Sequence, residues 1–264
     1  MDRAHCSGEF HLGAWTFKDW KEGGHGTLDL HRALAQSCNI FFYQAGLKIG
    51  GAALARYATA FGLGQPTGIA LPGDKPGLIP EPPGRRERKG RSWSAGDVVN
   101  MSIGQGALLV TPMQVARMMA AVANGGVLWK PRLVQRIERP DRGVLWQDGG
   151  QVNGHVELSP VVWAFLRASL WSAVNEGGTG AAARIPGLDV AGKTGTAQTI
   201  AKSKASSGQD HAWFASFAPV RDPEVVVVVL VERGGKGGQV AAPIAKKILN
   251  AIFLEKVAAV ELEG

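Results

Sequence analysis

Seven consecutive apolar residues, Val225 to Val231, six of them valine, set the first limit on the fold. A run of β-branched residues with no polar alternation reads as a strand covered on both faces. A chain that contains it must place packing layers on either side of a sheet. It is also the longest apolar run in the chain. A membrane helix needs about 20 such residues, so no stretch reads as a bilayer span. No basic-then-apolar signal segment follows Met1, which leaves a cytoplasmic protein or an export signal outside these residues. At 264 residues the chain is long enough for one large domain or two small ones.

The connection Val220 to Glu224 is short, which pairs Val225–Val231 antiparallel with a preceding strand, His211 to Ala218. Gln239 to Leu254 reads as an amphipathic helix. Upstream the period changes to helical. Asp29 can cap a helix carrying Leu30, Ala33 and Leu34. Ser37-Cys38-Asn39 interrupts it, and a second helix starts at Ile40 and ends at Gly50-Gly51. Ala52 to Phe61 is a third. Thr111-Pro112-Met113-Gln114 combines an N-cap, proline at the first helical position and glutamine three residues after the cap; its helix runs to Asn124. Ser159-Pro160 opens another through about Asn175. Residues 1–27 and 62–100 read as irregular, in keeping with glycine and proline forming about a fifth of the chain.

The formal charge is +7. The one dense basic cluster is Arg85, Arg86, Arg88, Lys89 and Arg91. It follows Pro80-Glu81-Pro82-Pro83-Gly84, where a solvated loop is expected. No aromatic platform accompanies it, so no nucleic-acid partner is expected.

Two short motifs carry chemistry. Ser37-Cys38-Asn39 lies between helices, and Lys193-Thr194-Gly195-Thr196 lies on an expected strand after Leu188 to Ala191. Each is weak alone. In this order and context they match two of the three motifs of penicillin-recognising serine acyltransferases. A serine hydroxyl near a lysine ammonium can relay a proton to a leaving amine. An asparagine amide can hold a substrate amide. Lysine and threonine on a strand can bind a carboxylate, and Gly195 leaves room for a substrate backbone.

The wider sequence resembles the transpeptidase domain of class B penicillin-binding proteins, of the penicillin-binding protein 2 type. The supporting stretches run in family order over residues 5 to 254. They include Gly24-His25-Gly26, Ala33 to Asn39 followed by Phe41-Phe42-Tyr43, Phe61 to Gly64, Thr67-Gly68-Ile69 and Ile103 to Gly106. Thr111 to Gln114, Asn124-Gly125-Gly126, Gly177 to Gly180 and Gly192 to Gln198 continue the series. The resemblance implies an α/β (α+β) fold of the penicillin-binding, serine β-lactamase-like type, with an all-helical part and an antiparallel sheet flanked by helices. Residues 1–264 then form one partial domain: a zinc-site loop at 1–27, a mostly helical part at 28–180, and the sheet with its C-terminal helix at 181–264.

The family's nucleophile is the serine of a Ser-x-x-Lys motif. No lysine in this chain has a serine three positions before it. The expected reading is a family member truncated at its N-terminus. A non-catalytic penicillin- or peptide-binding fragment and a serine β-lactamase-like protein stay open as alternatives. The resemblance also implies peptidoglycan D,D-transpeptidation at stem peptides ending in D-Ala-D-Ala, binding of β-lactams, and a place on the periplasmic face of the bacterial inner membrane beside a SEDS-type glycosyltransferase. By the same resemblance Ser37 relays protons, Asn39 orients the substrate amide, Lys193 assists both relay and carboxylate binding, and Thr194 and Thr196 contact the carboxylate, with the Thr196 N–H in an oxyanion hole.

The chain has two cysteines, Cys6 and Cys38. With Asp19 and His25 they make a four-ligand set of the kind zinc takes. In the family resemblance Asp19, His25 and Cys38 fall on zinc-ligand positions, and Cys6 falls where several relatives carry Asp. One structural Zn2+ is the expectation. A Cys6–Cys38 disulfide and two unrelated thiols are the other readings.

Overall fold

The structure is a computed structural model. It describes residues 3–80, 93–198 and 210–263, with side chains to residue 253. The basic cluster Arg85 to Arg91 lies outside the described residues.

The valine run behaves as its composition requires. β9 (Ala191–Ala197), β10 (His211–Ala218) and β11 (Val225–Val231) form an antiparallel sheet in the order β11-β10-β9. Val227 and Val229 turn to one face, and Val226 and Val228 to the other. On the first face lies α7 (Gly237–Glu263), whose Ala241, Ala242, Ala245 and Leu249 are fully buried against Phe214 of β10. The second face packs on α5 (Pro112–Asn124) and α6 (Pro160–Asn175) through Ala215, Phe217, Met119, Val122 and Leu170. Removing apolar area from water on both faces is the main stabilising term for such a strand, at about 25 cal/mol per Å².

The helices start where their caps are. Thr111 caps α5 with a reciprocal capping box to Gln114. α1 (Leu30–Ala35) is capped by Asp29, α2 (Asn39–Ile49) by Cys38, and α3 (Gly51–Ala60) follows at once. A third core gathers Cys6, Cys38, Ile40, Phe41, Tyr43 and Val99 around α2.

Several expectations change. Residues 1–27 are not irregular: β1 (Ala4–Cys6) pairs with β4 (Gly26–Leu28), and β2 (Glu9–Leu12) with β3 (Trp15–Lys18). Strands of three or four residues are too short to show a period. The segment 62–100 contains α4 (Ala95–Met101), held by a capping box between Ser94 and Asp97. Between α5 and α6 lie two ribbons, β5 (Val127–Trp129) with β8 (Val152–His155) and β6 (Arg136–Glu138) with β7 (Val144–Gln147). β6 and β7 are exposed along their whole length, so no inside–outside alternation marks them. β9 begins at Ala191, so Leu188 to Val190 precede the strand.

Candidate active site

The Ser37 turn is built by three consecutive residues docking onto it. α1 stops at Ala35, and Cys38 N–H bonds back to Ala33 O at 2.9 Å. Ser37 takes φ 56°, the left-handed region. A non-glycine residue there costs of order 1 kcal/mol and persists when its surroundings hold it. The segment 18–20 supplies that hold. Lys18 O accepts from Asn39 Nδ2 at 3.4 Å, and Asp19 Oδ2 accepts from Ile40 N–H at 3.3 Å. Trp20 Nε1–H donates to both Gln36 O and Ser37 O at 3.0 Å. Asn39 therefore faces Lys18.

The second motif sits on β9, with Lys193 opposite Ala215 and Gly195 opposite Trp213. The glycine has a packing reason: a Cβ at 195 would lie 3.1 Å from Trp213 Cβ. Gly237, the first residue of α7, is more tightly constrained. A Cβ there would come within 2.2 Å of Trp213 O and 2.3 Å of Gly195 O. Only glycine lets α7 start against the motif, and its N–H reaches Thr196 Oγ1 at 3.4 Å. Thr194 Oγ1 lies 2.7 Å from Thr179 Oγ1, in the loop that follows α6.

The two motifs meet. Lys193 Nζ donates to Ser37 Oγ at 2.8 Å across 156 residues, and to Thr194 O at 2.9 Å. Burial lowers the Lys193 ammonium to about 8. Near neutral pH it can therefore both pair with a carboxylate and exchange a proton with Ser37. Ser37, Lys193, Thr194 and Thr179 form one hydrogen-bonded string.

Sequence reasoning missed three contributors. Thr179 appeared only inside a glycine-rich family stretch. Trp20 had no signal beyond its neighbour Asp19. Gln105 appeared only inside the family stretch Ile103 to Gly106; it reaches β9, where its Nε2 donates to Thr196 O at 2.8 Å.

The candidate metal ligands converge on one point. Cys6 Sγ and Cys38 Sγ each lie 3.4 Å from Asp19 Oδ2. His25 Nδ1 lies 3.6 Å from Cys6 Sγ and 3.4 Å from Asp19 Oδ1. All four ligand atoms fall within 4.8 Å of one another. Tetrahedral zinc with bonds of about 2.0–2.3 Å spaces its ligands by roughly 3.3–3.8 Å, so the donor set fits that ion. Both cysteines are free thiols, without a disulfide. The side chains of Asp19 and His25 are 0% and 1% exposed. Burial, with Asp19 nearby, pushes the Cys38 thiol well above its ordinary range; a thiolate there calls for a cation. Burial lowers His25, partly offset by Asp19, and so favours the neutral imidazole that binds metals.

Residues 4–250 match the family described as the penicillin binding protein transpeptidase domain. The chain is 33% identical over 259 residues to the peptidoglycan D,D-transpeptidase MrdA of Haemophilus influenzae, covering 93% of this chain and 39% of that protein. Penicillin-binding protein A of Mycobacterium tuberculosis, solved as a ceftriaxone acyl-enzyme complex, superposes with a TM-score of 0.81 at 28% identity, covering 95% of this chain and 55% of that one. A chain from a peptidoglycan synthase complex that coordinates polymerization and crosslinking gives 0.81 at 33% identity, covering 95% and 42%. The chain thus spans about two fifths of its curated relative's length. Its mixed helix and antiparallel-sheet architecture, its two motifs and the extent of these matches lead to one conclusion: this chain belongs to the penicillin-binding protein transpeptidase domain family.

Proposed function

We propose that this chain forms the substrate-binding part of a peptidoglycan D,D-transpeptidase, acting on stem peptides that end in D-Ala-D-Ala and binding β-lactams in the same groove. The observation that carries the reading is the 2.8 Å Lys193–Ser37 hydrogen bond. It joins a proton-exchanging lysine to a hydroxyl beside the place where a leaving amine must be protonated. The Lys193 ammonium and the Thr194 and Thr196 hydroxyls would take the terminal carboxylate. Asn39 would orient the substrate amide, and the Thr196 N–H would face the oxyanion. The nucleophile belongs to a Ser-x-x-Lys motif that these residues do not contain.

One structural zinc is part of the proposal, held by Cys6, Asp19, His25 and Cys38. When bound it supplies electrostatic cross-linking, with no part in acyl transfer. Cys38 is the N-cap of α2 and the middle residue of Ser37-Cys38-Asn39, so the site braces the turn that aims Ser37. A glycosyltransferase of the SEDS type and the periplasmic face of the inner membrane fit a cross-linking enzyme of this family. No helix among the described residues is long and apolar enough to cross a membrane.

Equilibrium binding of diacetyl-L-Lys-D-Ala-D-Ala tests the reading. Lys193→Ala should weaken it by roughly 10- to 100-fold, the range for losing a charged hydrogen bond. Unchanged affinity in Lys193→Ala would remove the proposal. The pH dependence follows from the lysine lowered to about 8. Below that value the ammonium is charged in the folded protein and attracts the carboxylate. Above it affinity should fall by about tenfold per pH unit. Stability moves the other way. The unfolded chain keeps this proton to about 10.4, so between about 8 and 10 deprotonation favours the folded state. A loss of peptide binding at pH 9 would therefore not be unfolding at this group, which a melting curve at the same pH checks.

A further inference from the structure

α1 and α6 carry the two ends of the hydrogen-bonded string in the site. α1 stops at Ala35, two residues before Ser37, and α6 stops at Asn175, four residues before Thr179. The helices meet closely. A Cβ on Gly178 would lie 2.5 Å from Ala173 Cα and 2.6 Å from Ala35 O, and Thr179 N–H donates to Ala35 O at 3.2 Å. Among the described residues, the side-chain hydrogen bonds that join α1 to α6 all pass through His31. Its Nδ1 lies 2.9 Å from Ser169 Oγ, and its Nε2 lies 3.0 Å from Ser172 Oγ.

The protons of this contact can be counted. A serine hydroxyl has one hydrogen to give. Ser169 Oγ–H donates to Phe165 O at 2.8 Å, one turn back in α6, and Ser172 Oγ–H donates to the Glu176 carboxylate at 2.7 Å. Toward His31 both hydroxyls therefore present lone pairs. Two such acceptors need two N–H donors, and a neutral imidazole has one. The ring satisfies both serines only as the imidazolium. When it loses its second proton, one serine must give up either the ring or its present acceptor. Ser169 is 0% and Ser172 4% exposed, so neither hydroxyl can turn to bulk water instead.

The charges around the ring are few. Glu176, reached through Ser172, supplies the counter-charge. Asp29 is engaged at Arg32 N–H as the cap of α1, and Arg32 itself is exposed. Arg167, the charged residue of α6, donates to Ala123 O at 3.4 Å. β4 carries no charge, and the one charged residue of α2, Lys48, lies in its last turn. Phe165 stands edge-on to the imidazole, with ring centroids 6.1 Å apart.

We infer that His31 is a positioning residue whose doubly protonated ring staples α1 to α6 and so holds Ser37 and Thr179 at the spacing that Lys193 and Thr194 bridge. The inference rests on the reading proposed above, in which that string receives the terminal carboxylate of a peptide. Peptide affinity then falls as the ring loses its second proton.

Calorimetric binding of diacetyl-L-Lys-D-Ala-D-Ala at pH 5.5 and 7.5 tests this. Lys193, lowered to about 8, stays mostly charged over the interval. The wild-type chain should bind roughly fivefold more weakly at pH 7.5, the loss expected for about one hydrogen bond. His31→Gln has no second proton to lose. It should bind at both pH values as weakly as the wild-type chain does at pH 7.5. Ser172→Ala removes one acceptor with the ring in place and should flatten the profile in the same way, so the test does not depend on one variant folding. A flat wild-type profile overturns the inference, and so does a slope that both variants keep. Nitrogen NMR of the wild-type chain at pH 5.5 reads the staple directly. Both ring N–H protons of His31 should exchange with water more slowly than those of the exposed His155; exchange as fast as at His155 overturns the staple. No binding by the wild-type chain at either pH overturns the peptide reading itself, and this inference with it.

Discussion

Fluorescent penicillin is expected to leave no covalent band on a polypeptide of these 264 residues. Acylation requires a serine activated by a neighbouring base. The family places that pair in Ser-x-x-Lys, and no lysine of this chain has a serine three positions before it. Adding a segment with that motif from a complete relative, by co-expression, should produce a band on the added serine. The effect is all-or-none, so a labelling gel with mass mapping reads it directly. The structure also names the one result that would reverse the reading. Ser37 already sits 2.8 Å from a lysine lowered to about 8. A band on the unassisted chain that disappears in Ser37→Ala would make Ser37 the acylated residue, with Lys193 as its base.

Removing metal should lower the melting temperature by roughly 10 °C. The four donors lie within 4.8 Å of one another with buried side chains. Binding a metal to the folded state alone adds its free energy to folding, about 4 kcal/mol at 1,000 times Kd. For a domain of this size each kcal/mol moves the melting temperature by about 2–4 °C. Chelation, Cys38→Ser and His25→Ala should each shift melting by comparable amounts, with loss of one bound zinc per chain by elemental analysis. Cys38→Ser has a second consequence: Cys38 caps α2 and adjoins Ser37, so peptide affinity should fall with the metal. Protein that purifies without metal and melts at the same temperature in chelator would end the zinc proposal.

Much of the architecture was legible because it depends on local chemistry. The strand Val225–Val231 follows from β-branched residues that tolerate no polar face. α1, α5 and α6 follow from the Asp29 cap, the Thr111 cap with Pro112, and Pro160 at the first helical position, all acting within one turn. The elements that escaped notice have weak local signals. α4 has seven residues, one of them Gly96. The ribbons in 127–155 and the pairs in 4–28 join partners as far as 28 residues apart, and no window of sequence displays such a pairing.

The same division runs through the site. Residue types alone determined which motifs this chain carries: Ser37-Cys38-Asn39, Lys193 to Thr196, and a Cys, Asp, His and Cys donor set. Only the tertiary structure decided that Lys193 reaches Ser37, that Trp20 spans the carbonyls of Gln36 and Ser37, and that Gln105 occupies the β9 edge. Caps and strand propensities act between neighbours, so the sequence states them in place. A hydrogen bond between residues 91 or 156 positions apart exists only after the sheet and helices have packed, because the packing brings those atoms together.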